Sequence, residues 1–196
     1  MQIETAQTVD TVTATITKKS SGFERALAGG VFTVTCYDKD GNLKWEESAP
    51  NLVMDEGLKD MNDKYFSGTT YTAAWYLGLI TGPSSGTTFS GTQTLASHGT
   101  TGGGGWTEDT AYAGNRKAAT FAAATLADPS VITNSASPAQ FTMNGTTTIA
   151  GAFLTNVATG TSGILFSASD FQSPGDRAVV SGDVLNVTYT FSLDAA

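Results

Sequence analysis

Residues able to do chemistry are few in this chain and widely separated. There is one cysteine, Cys36, and one histidine, His98. A zinc site takes about four Cys, His or carboxylate ligands at close spacing, which one thiol and one imidazole do not supply. Gly82-Pro83-Ser84-Ser85-Gly86 matches G-x-S-x-G after an apolar stretch. A nucleophile elbow also needs a helix behind the serine and the chain order serine, acid, histidine. Here TTFSGTQT follows, and no Asp or Glu lies between Ser84 and His98, so the segment reads as a turn. The run Asp38-Lys39-Asp40-Gly41-Asn42 misses the calcium-loop spacing and lacks the terminal glutamate; it reads as a hairpin turn. Gly102 to Gly105 offers no phosphate-binding register. The sequons at Asn144 and Asn186 carry no meaning without a secretory leader. No paired carboxylates stand out. The expectation is a protein that is not an enzyme and needs no cofactor or metal.

Binding chemistry is the alternative. Trp45 and Trp75 occupy positions that alternate inward on strands, which assigns them to the core. Trp106 sits in a long Gly/Ser/Thr-rich connection, residues 82–116, with His98, Tyr112 and Arg116. Connections of this length without regular structure are usually functional or disordered. Trp106 is either a lid on the core or a partner contact; His98 reads as a hydrogen-bonding loop residue.

Composition narrows the partners. Over 196 residues the net charge is -8, which argues against nucleic acid. Charged residues are 14%, against roughly 25% in ordinary domains. Beyond Phe66 the basic residues are Arg116, Lys117 and Arg177 alone. The surface there must be mostly Thr, Ser, Asn, Gly and Ala, which suits a module packing against neighbours. The start, MQIETAQTVD, resembles no signal peptide, and no run approaches the ~18 apolar residues of a membrane span. The expectation is synthesis in a host cytoplasm, with no membrane partner.

The elements follow from periodicity. Residues 11–17, TVTATIT, place Val12, Ala14 and Ile16 on one face and threonines on the other, a strand pattern. Phe23 and Leu27 have helical spacing, and Gly29-Gly30 closes that segment. Residues 1–30 thus read as an N-terminal arm or an edge strand, with the domain proper at 31–196. Residues 31–48 form a hairpin turning at Asp40-Gly41. A short amphipathic helix over about 52–66 follows, started by Pro50 and Asn51 and stopped by Gly68. Its apolar stripe is Met54, Leu58, Met61 and Tyr65. It reads as a plug on the sandwich, with a docking helix as the rival. Strand 73–81 is apolar on both faces, and the helix is the candidate cover. Further strands are expected near 118–126, 138–143, 147–155, 163–168, 177–180 and 185–193. Roughly nine short strands with turn residues between them predict an all-β, jelly-roll-like antiparallel sandwich.

Several ordered blocks resemble a family of small tailed-bacteriophage virion proteins: DKDGNLKWEESAPNLVMDEGLKDMNDKYFSG, TAAWYLGLITG, TLASHG with GWTEDTAY, and DRAVVSGDVLNVTYTFS. The resemblance spans about Val31 to Leu193. Relative to that pattern Thr100 to Gly104 is an insertion, and residues 1–30 are peculiar to this chain. The resemblance implies a capsid decoration, or cement, protein on the outer capsid surface of the virion. Its partner would be the major capsid protein, and it would form a homo-oligomer, dimer or trimer. Candidate partner-binding residues are Val12, Ala14 and Ile16 on the arm and His98, Trp106, Tyr112 and Arg116 in the long connection. A tail or fibre module binding host glycan is the alternative.

Overall fold

The computed structural model describes residues 26–71, 73–81, 89–98, 105–172 and 175–195. The strand expected at 11–17, with Val12, Ala14 and Ile16, lies outside these residues. The described residues form an antiparallel two-sheet sandwich with one helix, as the sequence predicts. In chain order the elements are β1 (Ala26–Tyr37), β2 (Leu43–Pro50), β3 (Leu52–Val53), α1 (Asp55–Phe66), β4 (Tyr76–Thr81), β5 (Thr107–Asp109), β6 (Lys117–Ala118), β7 (Ser130–Thr133), β8 (Ala139–Thr142), β9 (Thr147–Thr155), β10 (Leu165–Asp170), β11 (Arg177–Val179) and β12 (Val184–Ala195).

The first sheet runs β2-β1-β12-β7, with β8 also on β12; the second runs β3-β10-β9-β4-β5, with β11 on β9 and β6 on β4. Strand β12 shows why alternation is so informative. Leu185, Val187, Tyr189 and Phe191 are buried between the sheets, while Asn186, Thr188, Thr190 and Ser192 point the other way. Phe32, Val34 and Cys36 of β1 and Phe141 of β8 meet them from the same sheet. Leu77, Leu79, Ile149 and Leu154 meet them from the second.

Strand β1 starts earlier than the spacing suggests. Leu27 is not helical; it pairs with Asp194, and Gly30 pairs with Phe191. The boundary placed at residue 30 therefore falls inside a strand. Gly30 is required by close approach rather than by a chain break: a Cβ there would stand 2.7 Å from the Thr190 carbonyl oxygen.

The helix also departs from its expected face. Pro50 ends β2, and Asn51 is used by the core, its N–H donating to the Gly30 carbonyl at 2.9 Å and its side-chain amide to the Tyr189 hydroxyl at 2.8 Å. Two strand residues follow, so α1 begins at Asp55. Met54 is fully buried, but Leu58 is 39% exposed and Tyr65 83%. The face turned inward carries Gly57 and Asp60. Gly57 sets the approach: its missing Cβ would sit 2.7 Å from the Phe166 carbonyl oxygen, so the helix lies directly on the β10 backbone, and of the expected stripe Met54 and Met61 pack against the cores.

The strand expected at 118–126 is only two residues long. Beyond Ala118 the chain leaves the second sheet and crosses to the first, where Ala122 N–H donates to the Thr133 carbonyl at 3.0 Å and Thr125 N–H to that of Val131 at 2.9 Å.

Candidate functional site: a caged aromatic cluster and a hydroxyl-bearing sheet face

Strands β4 and β9 are buried on both faces, and the cover on the second face is not the helix. Ile80, Ala150, Phe153, Leu165 and Ala168 pack under Leu95 and Trp106, with Met54 at the helix start and Phe89 at the margin. The long connection thus builds a third layer over the second sheet.

Within this layer His98 stacks on Trp106 with ring centroids 4.0 Å apart, and Trp106 leans on Phe153 at 4.9 Å. His98 Nδ1 lies 3.1 Å from the Trp106 carbonyl oxygen, which puts a proton on Nδ1. Burial holds the His98 pKa below its usual value, and nearby Arg116 adds to this; the Trp106 carbonyl and Glu108 act in the opposite direction. The Arg116 guanidinium sits 5.2 Å from the centre of the Phe153 ring. Its Nε and Nη2 donate to the two oxygens of Glu108 at 2.8 and 2.6 Å, and Nη1 donates to the Val157 carbonyl at 3.1 Å. Tyr112 lies in the first core instead, edge-on to Phe141 at 4.8 Å. Burial pushes its hydroxyl pKa up.

His98, Trp106 and Arg116 are therefore brought together, and Tyr112 stands apart. All four are buried, which corrects their placement at a partner surface. The aromatic faces, the His98 Nδ1 and the Arg116 guanidinium are used inside the chain, because the connection folds down onto an otherwise exposed apolar sheet. Trp106 is a lid. Trp45 and Trp75 are half-buried flankers of the first core rather than its centre. Cys36 is buried, and desolvation, with Asp183 nearby, pushes its thiol up to about 11; it is an inert core residue. No group of three metal-binding side chains occurs among the described residues. The G-x-S-x-G segment lies outside them.

The pKa depression of His98 gives a signed prediction. The unfolded imidazole titrates near 6.5, the folded one lower, so the unfolded state binds the proton first. The stability present above about pH 6.5 is lost as pH falls from there towards the folded value. Urea melts at neutral and mildly acidic pH should show a larger loss for the wild type than for His98→Phe. Equal losses would place the acid sensitivity elsewhere.

The opposite sheet presents a different surface. On the outward face of the first sheet Thr33 bonds Ser48 at 3.0 Å, Thr190 bonds Thr133 at 2.9 Å, and Gln140 donates to Asn186 at 3.3 Å. Register places Thr33 opposite Thr188 and Thr35 opposite Asn186. Sequence alternation on β12 foretold this face, but its extension across β2, β1, β12, β7 and β8 depended on pairings that alternation does not give. Hydroxyls and amides both donate and accept, so this face, on which Glu46 accepts from Thr35 at 3.4 Å, can meet another protein mainly through directional bonds.

No family model matches the chain, and no curated protein or solved structure matches it either.

Proposed function

We propose that this chain is a virion structural protein that binds the outer capsid surface of a tailed bacteriophage and bridges major capsid subunits. The observation that carries the reading is the outward face of the first sheet. It is a four-strand-wide array in which Thr, Ser, Asn and Gln side chains predominate, with the Glu46 carboxylate on β2 accepting from Thr35, and several of its members are already ordered by bonds to one another. Ordering beforehand lowers the entropy lost on docking, and the scarcity of charge lowers the desolvation cost. The resemblance of the ordered sequence blocks to phage virion proteins supports the same reading. Function here is binding, with the buried ion pairs and aromatic layer serving to hold the sandwich rigid.

Purified protein mixed with undecorated capsids should co-sediment saturably. Placing arginine in the centre of the array, as in Thr188→Arg, should abolish co-sedimentation while leaving the thermal melt nearly unchanged, since the side chain is half-exposed. Wild-type protein that never co-sediments would sink the capsid reading. Unimpaired binding by the variant would move the interface to another face.

A further inference from the structure

The second sheet has an unfinished corner. Strand β4 extends back through Trp75 and β6 extends on through Ala119, and a regular antiparallel ladder would join these two residues by two hydrogen bonds. Only one is made, Ala119 N–H to the Trp75 carbonyl at 2.8 Å. Beyond it the segments part, because the chain after Ala119 crosses to the first sheet. The parting leaves a half-open groove of about 390 Å³.

Its walls are held in place. Trp75 lies edge-on to Phe166 at 5.2 Å, and its indole N–H donates to the Tyr71 hydroxyl at 2.7 Å. Phe121 lies edge-on to Tyr189 at 6.3 Å. Both rings are half-buried and turn part of their surface to the groove. Alanines Ala73, Ala74 and Ala119 keep it open, and Thr120 adds a hydroxyl. Among the described residues no charged side chain lines it.

The geometry points to a neutral saccharide as the ligand of this groove. Three features argue for that class together. The lining carries no charge to meet an ionic ligand, and the chain's net charge of -8 opposes a polyanion. Two fixed aromatic surfaces suit the apolar faces of a sugar ring. Among the described residues no backbone bond completes the other half of the ladder pair, Trp75 N–H and Ala119 C=O, which calls for one group that accepts and donates at once, as a sugar hydroxyl does and a hydrocarbon does not. The volume falls within the range of small-ligand sites. This inference does not rest on the capsid reading, since the groove lies at a corner of the second sheet, away from the hydroxyl face.

The test titrates the full chain with maltohexaose, cellohexaose and chitohexaose, following tryptophan emission and heat. At least one should bind saturably with a dissociation constant of about 1 mM or tighter. Ala73→Trp fills the groove from an exposed position and should weaken that binding about tenfold or more with an unchanged melt. Phe121→Ala should weaken it as well. Absence of binding by all three saccharides at about 10 mM would overturn the proposal. So would binding that Ala73→Trp leaves intact, or displacement of an apolar dye from the groove with no saccharide effect. Capsid co-sedimentation by Ala73→Trp should match wild type, which separates failure of this site from failure of the capsid surface.

Discussion

Trp106→Ala should destabilise the protein by about 3–5 kcal/mol, among the largest losses available from one side chain. Trp106 is 2% exposed and touches three aromatic neighbours: Phe89, His98 and Phe153. Truncation would open a cavity that the surrounding sheet cannot close, since Phe153 is fixed from beneath by Gly78, where an added Cβ would lie 2.2 Å from its ring. Trp106→Phe should behave differently. The indole N–H is buried with no hydrogen-bond partner among the described residues, and such an orphaned donor costs about 1–3 kcal/mol. Phenylalanine loses some contact area but removes that penalty, so its net cost should stay below about 2 kcal/mol. Urea melts of both variants check the pair. Equal, large losses would mean that the indole nitrogen has a partner after all.

The layers were legible in the sequence in proportion to how far one strand alone reports its surroundings. Strand β12 could be read because its alternation is nearly unbroken, and β4 because a strand apolar on both faces must be covered on both sides. What covers β4 could not be read. The covering segment has no period; it is held by one stacked imidazole, one indole and a bidentate arginine, which are contacts between residues distant from the sheet they cover. The amphipathic stripe of α1 suggested the helix for that role. Gly57 cut the stripe to Met54 and Met61, since a close helix-to-strand approach depends on the residue that is smallest rather than on those that are most apolar. The short strands β3, β5 and β7 were missed for a related reason: two to four residues carry no period, and their pairing is set by neighbours far along the chain.

The candidate site followed the same division. His98, Trp106 and Arg116 stand out in the sequence as the unusual residues of a polar connection. Whether they faced a partner or the core was a question of folding direction. The apolar second face of β4 and β9 settles it, because leaving Ile80, Ala150 and Phe153 in water would forgo burial worth roughly 1.5–3 kcal/mol for each large side chain. The hydroxyl face gave no motif at all. It became visible only when five strands brought their outward threonines, serines and amides into register.

Arg116→Ala should cost a further large amount, about 3–5 kcal/mol, as expected when one member of a buried ion pair is removed. The Arg116 side chain is 2% exposed and that of Glu108 20%, so water reaches the pair only from the carboxylate side. Alanine would strip Glu108 of two charge-assisted bonds, leave the Val157 carbonyl without its donor, and vacate the cationic face over Phe153. Lysine should not rescue it, because an ammonium cannot make the paired bonds to Glu108 and reach Val157 from one planar group. An apolar pair is the decisive comparison. Arg116→Met with Glu108→Leu removes both charges together and keeps most of the volume, and replacements of this kind are commonly neutral or stabilising. The double variant should therefore recover most of the stability lost in Arg116→Ala. If it does, the pair acts by fixing the third layer in one position rather than by adding net stability, and Trp106 should keep its wild-type emission only where that position is kept. If the double variant is as unstable as Arg116→Ala, the guanidinium contacts to Val157 and Phe153, rather than Glu108, hold the layer down.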